Sequence, residues 1–395
     1  MTAYLNALGV VCALGRGPDE VARKLFAGDC SGMQPHSGWV AERSVTIGAV
    51  TGDLAAIPAA LAQQSSRNNQ LLLEAALQIQ DEIEQAIQTF GRERIAVVLG
   101  TSTSGIDEAS RGIAHYLQHQ QFPGDYIYQQ QELSAPATFL ADWLKISGPT
   151  YVISTACTSS ARALMSAQRL LDMNLCDVVL CGGVDTLCKL TLNGFSALEA
   201  VSDERCNPFS VNRHGINIGE AAVLFVMSRQ PASDHGIALL GAGASSDAHH
   251  ISAPEPTGRG AAQAMHKALS RAGLPADQIG YLNLHGTATQ HNDAMESHAV
   301  AQVFPHGVPC SSTKPMTGHT LGAAGALEAA FCWLSLTRDN ALAPHLWDGQ
   351  HDPALPALNW VTPGQTLAPT SQRCLMSNSF AFGGNNVSLI IGDAP

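Results

Sequence analysis

The sequence is poor in charge and in aromatic side chains, which make up 14% and 6% of its 395 residues. Hydrophobic residues account for 45%, so the chain has ample apolar surface for a large core and is not of the disordered class. Positive charge is the scarcer sign, with 21 Lys and Arg against 33 Asp and Glu. A nucleic-acid-binding protein needs the opposite balance to neutralise phosphates, so we expect no nucleic-acid partner.

The sequence also lacks the features of exported and membrane proteins. Its ten cysteines form no Cys-x-x-Cys pair, and a chain of this length does not need disulfides for stability. The N-terminus has no basic segment followed by a long apolar core, as a signal peptide would have. The longest apolar stretch, residues 322–336, contains Glu328 and is too short to span a bilayer. We therefore expect a cytoplasmic protein that contacts no membrane.

Short β-branched runs alternate with helical patterns along the chain, which is typical of α/β layers. Residues 118–131 are rich in Gln and Tyr and have no periodicity, so we predict an exposed loop there. The predicted strands span residues 95–99, 151–156, 177–181, 222–227, 237–241, 281–284 and 387–391, and the predicted helices span residues 159–173, 261–272 and 322–336.

Cys157 lies where a predicted strand ends and a predicted helix begins. The positive end of a helix dipole favours the thiolate, which is the form that acts as a nucleophile. A buried, unreactive thiol is the more usual state of any single cysteine. The position therefore makes Cys157 a candidate nucleophile without deciding between the two interpretations.

Two histidines lie in glycine-containing turns. His285 follows the predicted strand 281–284, and His319 ends the segment 314–319. Histidines in such turns are well placed to donate or transfer protons in a pocket, although a structural role is the common alternative. Metal binding is the weaker hypothesis, because no ligand spacing accompanies either residue.

Lys314 and Glu328 form a second candidate pair. Glu328 interrupts an apolar helix, where a carboxylate is costly unless it is paired. A buried ion pair with Lys314 would satisfy both charges. The alternative is that the Glu328 side chain extends to the surface, so that its carboxylate is in contact with solvent.

Six short motifs follow one another along the chain: Thr-Ala-Cys-Thr-Ser-Ser at 155–160, His-Gly-Thr at 285–287, Asn-Asp at 292–293, Ser-Thr-Lys-Pro-Met-Thr-Gly-His at 312–319, Leu-Gly-Ala-Ala-Gly at 321–325 and Asn-Ser-Phe-Ala-Phe-Gly-Gly at 378–384. In this order they resemble the β-ketoacyl-acyl carrier protein synthases of the elongating, Cys-His-His type. The resemblance covers essentially the whole chain. Its subtype is similar to the ketosynthases of aryl-polyene and related type II polyketide clusters.

The resemblance implies a thiolase fold, in which two similar halves form an α-β-α-β-α layered sandwich. Residues 1–235 would form the N-terminal half, which carries the nucleophilic cysteine. Residues 236–395 would form the C-terminal half, which carries both histidines and a phenylalanine gate. The active site would lie between the halves.

The family's reaction is a decarboxylative condensation, and the resemblance implies a role for each candidate residue. Cys157 would accept the acyl group, and His285 and His319 would bind the malonyl thioester carbonyl and stabilise the enolate. Lys314 and Glu328 would be the supporting pair. No cofactor or metal is implied. The chemistry is consistent with these residues, since a thiolate attacks a thioester and preorganised N–H groups stabilise an enolate.

Further positions are also carried over from the family. Phe382 resembles the gating phenylalanine, and its backbone N–H would form an oxyanion hole with that of Cys157. Phe380 belongs to the same gate motif, and Asp293 resembles the structural acidic residue after His-Gly-Thr. Thr103 stands at the position that limits the acyl pocket, and its small side chain predicts a roomy pocket.

Three residues depart from the family pattern. Ala381 replaces the usual Gly beside the gating phenylalanine, which should stiffen the gate by removing positive-φ freedom. Asn385 replaces the usual Thr after the glycine pair, and His214 replaces an Asp before Gly215.

The family implies an acyl carrier protein as partner, in its acyl and malonyl forms, and a homodimer or a heterodimer with a ketosynthase-like subunit. Carrier proteins are acidic, so a local basic patch should bind them, and Lys189, Arg205 and Arg213 are candidates. Three alternatives remain open at this point: a thiolase or an initiating ketosynthase, a non-enzymatic chain-length-factor subunit, and a cysteine hydrolase.

Overall fold

A computed structural model describes residues 2–232, 236–370 and 372–394. Its strands are β1 (Ala3–Cys12), β2 (Gly15–Arg16), β3 (Met33–Val40), β4 (Arg43–Gly48), β5 (Ile95–Gly100), β6 (Thr150–Ile153), β7 (Val178–Asp185), β8 (Ile218–Gly219), β9 (Ala221–Ser228), β10 (Ile237–Ser246), β11 (Tyr281–Asn283), β12 (Pro309–Ser311), β13 (Asn359–Trp360), β14 (Cys374–Ala381) and β15 (Asn385–Asp393). Its α-helices are α1 (Pro18–Ala27), α2 (Arg67–Leu77), α3 (Gln80–Phe90), α4 (Ile106–His119), α5 (Ala135–Leu144), α6 (Ser159–Asp172), α7 (Lys189–Ala197), α8 (Arg259–Ala272), α9 (Gln290–Val303), α10 (Lys314–Thr317) and α11 (Ala324–Thr337). Short 3₁₀ turns span Ala59–Gln64, Arg92–Arg94, Tyr128–Gln131, Ala276–Gln278, Leu321–Ala323 and Phe382–Gly384.

Two sheets of similar order form the framework. In the N-terminal half the strand order is β6-β5-β7-β9-β1, and in the C-terminal half it is β13-β12-β11-β14-β15-β10. The two sheets join where the start of β1 pairs with the start of β10, over two residue pairs. In both halves the parallel strands lie toward the outer edge and the antiparallel strands toward this junction.

The strands are apolar on both faces because each sheet is covered on both sides. In β5, Val98 packs in a core with α6 and α11, whereas Val97 and Leu99 pack in another core with α2 and α5. A third core lies between the C-terminal sheet and α8 and α9. The resulting order of layers is helix, sheet, helix, sheet, helix, so the predicted thiolase fold is confirmed.

Close backbone contacts position the start of α6 against both halves. A Cβ atom on Gly100, at the end of β5, would lie 2.2 Å from the backbone nitrogen of Ser160. A Cβ atom on Gly325, in α11, would lie 2.7 Å from the Cβ atom of Ala161. Only glycine permits these approaches, and they hold the first turn of α6 between β5 and α11.

The structure differs from the sequence predictions at several boundaries. Strand β6 ends at Ile153, because residues 154–158 turn to begin α6. The predicted exposed loop at 118–131 is wrong at its end, where the 3₁₀ turn buries Gln130, whose carbonyl accepts a hydrogen bond from Gly105. The predicted boundary between the two halves lies between residues 235 and 236. It adjoins residues 233–235, which lie outside the described residues. Among the described residues, no helix combines the length and apolarity needed to cross a membrane.

Candidate active site

Cys157 lies in a tight turn between β6 and α6. Ala156 adopts the left-handed conformation with φ of 52°, and the hydroxyl of Ser159 accepts a hydrogen bond of 2.9 Å from the backbone N–H of Thr155. The Thr158 hydroxyl donates to the Thr155 carbonyl at 2.8 Å. These local bonds turn the chain so that Cys157 points into the interior, where its residue is 6% exposed.

The Cys157 thiol is protonated at neutral pH in this setting. Burial raises its pKa to about 12, and the nearby Lys314 ammonium lowers it by less. The expectation of a favoured thiolate is therefore wrong for this buried site, because loss of hydration disfavours the charged form of the thiol. A base must take the proton, and the Nε2 atom of His319 lies 3.0 Å from the Cys157 sulfur.

The reactivity of Cys157 toward iodoacetamide should therefore rise with pH and reach no plateau between about pH 7 and pH 10. Only the thiolate reacts, and its fraction grows about tenfold per pH unit below a pKa of about 12. Peptide mass spectrometry of the alkylated protein gives the rate at each pH. A plateau at lower pH would show a preformed thiolate and contradict this prediction.

His285 and His319 converge on the same point. Their rings meet edge to face with centroids 5.2 Å apart, and one nitrogen of each ring and the Cys157 sulfur all lie within 4.8 Å of one another. Burial lowers the pKa of both histidines well below the usual value, and the Lys314 ammonium adds to this effect. Both rings are therefore neutral, so each can present one N–H donor and one acceptor.

Glu296 was missed by the sequence interpretation and holds His285 in place. It is fully buried on α9, and its carboxylate accepts hydrogen bonds from the backbone N–H groups of His285 at 2.8 Å and Gly286 at 2.7 Å. Burial raises the pKa of Glu296 to about 7. Its position three residues after Asp293, one turn along α9, was a usable signal.

Lys314 and Glu328 form a buried ion pair behind the histidines. The Lys314 nitrogen lies 2.5 Å from a Glu328 oxygen, and the two side chains are 2% and 3% exposed. The alternative that Glu328 reaches solvent is therefore wrong. The same ammonium donates to the carbonyl oxygen of His285 and lies 3.5 Å from its Nδ1 atom. A donor at Nδ1 leaves the ring proton of His285 on Nε2, the other nitrogen.

Glu328→Gln is expected to lower the free energy of unfolding by about 3–5 kcal/mol, because it leaves the Lys314 ammonium buried without a counter-charge. Chemical denaturation measures the change. The matched control is Glu82→Gln on the exposed side of α3, which should change stability by less than about 0.5 kcal/mol. Equal stability of Glu328→Gln and the parent protein would show that the pair is not needed to neutralise Lys314.

Asp293 braces the turn that follows His285. Its carboxylate accepts a hydrogen bond from the backbone N–H of Phe209 at 2.7 Å and another from Ala288 at 3.2 Å. Burial raises its pKa to about 6. The Asp293 side chain is absent from the wall of the cavity at Cys157, as expected for a structural role.

A cavity of about 350 Å³ connects Cys157, His285 and His319 to the surface. Its walls include the aromatic rings of Phe195, Phe380 and Phe382. The Phe380 ring lies 6.1 Å from that of His285, and the Phe382 ring lies 5.4 Å from that of Phe195. Polar side chains also line the cavity, namely Thr287, Thr289, His250, His291 and Asn292.

The turn at residues 381–385 carries the predicted gate residue Phe382, is called the gate turn below, and forms part of this wall. Ala381 is in extended conformation with φ of −116°, and the positive φ angles fall on Gly383 and Gly384. Ala381 therefore needs no positive φ in this conformation, and the stiffening expected from its replacement of Gly stays a prediction. The backbone N–H of Gly383 donates to Ile251, and the carbonyl of Gly384 accepts from Asp247, both at 2.8 Å.

Thr103 is not on the cavity wall. It is 2% exposed, and its hydroxyl and its backbone N–H each donate to the Asp185 carboxylate at 2.8 Å. Asp185 is fully buried at the end of β7 and also accepts a hydrogen bond from the backbone of Gly322. The role of Thr103 in acyl length stays a prediction, and Asp185 is a further buried residue that the sequence pattern did not indicate.

The three candidate docking cations differ in exposure. Lys189 and Arg205 are exposed. Arg213 is 3% exposed and forms an ion pair of 2.6 Å with Asp352. The prediction that Arg213 contributes to a surface patch is therefore wrong, because its charge is already used inside the protein.

Two protein-family models match this chain, one in each half of the fold. The N-terminal domain of β-ketoacyl synthases matches residues 6–232, and their C-terminal domain matches residues 237–346. The chain belongs to the β-ketoacyl synthase family.

Three relatives illustrate the range of similarity. A 3-oxoacyl-[acyl-carrier-protein] synthase 2 from Rhizobium meliloti is 36% identical over 62% of this chain and 61% of its own length, so the chain spans less than two thirds of that relative. The corresponding synthase 2 from Staphylococcus aureus is 30% identical over 83% of this chain and 84% of its own length. A Xenorhabdus doucetiae ketosynthase (ApeO), solved in complex with its chain length factor (ApeC), is 48% identical over 100% of this chain and 98% of its own, with a TM-score of 0.94.

Proposed function

We propose that this synthase joins an acyl group held on Cys157 to a malonyl group held on an acyl carrier protein, giving a 3-oxoacyl-carrier protein and CO₂. The observation that carries the proposal is the meeting of one thiol and two neutral imidazoles at the base of a largely apolar cavity. A hydrolase needs only one histidine beside its thiol. A decarboxylating condensation needs donors for an enolate oxygen as well.

In the first step the Cys157 sulfur attacks the carbonyl carbon of an acyl thioester. His319 Nε2, at 3.0 Å, takes the thiol proton and passes it to the departing carrier thiol. The Nδ1 atom of His319 has no hydrogen-bond partner among the described side chains, so neither tautomer of this ring is fixed by a neighbour. His319 can therefore accept a proton in this step and donate a hydrogen bond in the next.

In the second step the malonyl carboxylate leaves as CO₂, and its bonding electrons form an enolate. Nε2–H groups of His285 and His319 donate hydrogen bonds to the enolate oxygen, and the lowered pKa values keep both rings neutral, so they act as hydrogen-bond donors and not as cations. The enolate carbon attacks the acyl-Cys157 carbonyl. The Cys157 sulfur leaves as a thiolate and takes up one proton from solvent, so the second step consumes one proton.

The partners we propose are carrier proteins and a ketosynthase-like second subunit. The names of the curated relatives support the carrier, and the complex of ApeO with its chain length factor supports a heterodimer over a homodimer. The exposed Lys189 and Arg205 are the cations we assign to carrier docking. We place the reaction in fatty-acid chain elongation or in polyene and polyketide chain elongation. We place the protein in the cytoplasm, because all ten cysteines are free thiols, as is usual in a reducing compartment.

The other activities have less support. A chain-length-factor subunit usually lacks the nucleophilic cysteine, which is present here, and an initiating ketosynthase resembles a Cys-His-Asn type. The test is release of CO₂ from malonyl-carrier protein, followed together with formation of the 3-oxoacyl product. CO₂ release with condensation supports the proposal. Hydrolysis of acyl thioesters without CO₂ release would indicate a cysteine hydrolase.

A further inference from the structure

The gate turn is held from two sides. On one side its backbone bonds to the loop at residues 247–251, and the side chain of Asn386 donates to Asp247 at 2.7 Å. On the other side the side-chain oxygen of Asn385 accepts a hydrogen bond of 3.1 Å from Nη2 of Arg162. Arg162 lies on α6, five residues after Cys157. This contact joins the helix that follows the nucleophile to the turn that carries Phe382.

The guanidinium of Arg162 is in an unusual electrostatic position. It is half-buried, and its buried Nε atom has no acceptor among the described residues. Within the described part of the chain, no carboxylate lies within ion-pair distance of it. Burial and the neighbouring Arg169 lower its pKa. A partly desolvated cation with a neutral amide as its acceptor makes a charge-assisted bond, which is stronger than an ordinary one.

The two residues of the gate turn with the greatest freedom in their backbone dihedral angles are its two glycines. Gly383 and Gly384 have φ angles of 81° and 73°, whereas Ala381 is extended. A change of the turn's position must therefore occur around the glycine pair, directly beside Asn385. The Arg162 contact lies at the end of the turn nearest to that pair, where it can restrain the movement.

We propose that Arg162 and Asn385 form a latch that holds the gate turn in its observed position in the wall of the Cys157 cavity, and that Arg162 is a positioning residue for this turn. The sequence departure at Asn385 then has a physical reason, because an amide oxygen reaches a guanidinium more readily than a threonine hydroxyl does. The inference rests on the proposed use of Cys157 as acyl acceptor. Its test measures only access to the thiol, so it gives a result whether or not condensation occurs.

The test compares the rate of Cys157 alkylation by iodoacetamide in the full-length protein and its variants. Arg162→Ala and Asn385→Ala should each raise the rate by about two- to tenfold, the range expected when one hydrogen bond that holds the turn in the cavity wall is lost and the path to the thiol widens. The double variant should react at about the rate of the single ones, because both changes remove the same contact. Asn385→Asp should slow the reaction, since a carboxylate would bind the guanidinium more tightly.

Two controls separate the latch from other effects. Arg169→Ala removes an exposed arginine from the same helix and should leave the rate within about twofold of the parent. The charges that shift the Cys157 pKa most are those of Lys314, Asp185 and Glu328, so Arg162→Ala is expected to change access to the thiol and not its pKa. Unchanged rates in both alanine variants, multiplied effects in the double variant, or faster alkylation of Asn385→Asp would each overturn the latch. Circular dichroism confirms that every variant compared is folded.

Discussion

Cys157→Ala is expected to abolish condensation completely while leaving the release of CO₂ from malonyl-carrier protein measurable. Without the thiol no acyl-enzyme can form, so the condensation has no electrophile. His285, one of the two histidines proposed to stabilise the enolate, keeps its supports, because its contacts with Glu296 and Lys314 do not involve Cys157. Intact-protein mass spectrometry after incubation with acyl-carrier protein should show an acyl adduct on the parent protein and none on the variant.

The matched control for this experiment is Cys30→Ala. Cys30 is the partly exposed thiol among ten free cysteines, of which the other nine are buried. An acyl adduct on the protein surface would therefore form at Cys30 first. If the adduct persisted in Cys157→Ala and disappeared in Cys30→Ala, Cys30 would carry the acyl group, and the assignment of Cys157 as the acyl acceptor would be contradicted.

His285→Ala and His319→Ala should each slow malonyl decarboxylation by about 10²–10³, which corresponds to roughly 2.7–4 kcal/mol of enolate stabilisation. The two variants should differ in the first half of the reaction. His319 lies 3.0 Å from the Cys157 sulfur and takes its proton, so His319→Ala should also slow acylation. His285→Ala should acylate at nearly the parent rate.

Rapid-quench measurement of the acyl adduct, combined with a CO₂ assay, separates these two effects. His298→Ala, which changes an exposed histidine on α9, serves as the control and should be unaffected in both. If His285→Ala released CO₂ at the parent rate, the enolate would have another donor. If His319→Ala acylated normally, another group would act as the base for Cys157.

Sequence reasoning reached the reacting groups because each lies in a short motif at the end of a strand or in a turn. Cys157, His285 and His319 needed only local chain geometry and the resemblance to be found. The supporting carboxylates were harder to find, because Asp185 and Glu296 accept hydrogen bonds from backbone N–H groups, and only Glu296, one turn after Asp293, had a spacing that could have indicated it. Residues 101–103, which bond to Asp185, lie more than 80 positions away from it in the chain.

The wrong expectations also share a physical cause. Whether Cys157 is a thiolate depends on its hydration, and whether Arg213 is exposed depends on where Asp352 lies in the fold. Each of these properties arises from tertiary packing, which periodicity and motifs do not describe.

The central layer of α6 and α11 has a consequence for how the protein loses its structure. Residues of both sheets and both helices share one continuous hydrophobic core. Neither half can detach without exposing that core to water, so the two halves should unfold as one cooperative unit. Cys157 comes from one half and both histidines from the other. The thiol and the imidazoles therefore separate in the same transition that unfolds the core. We expect no partly folded form that retains activity.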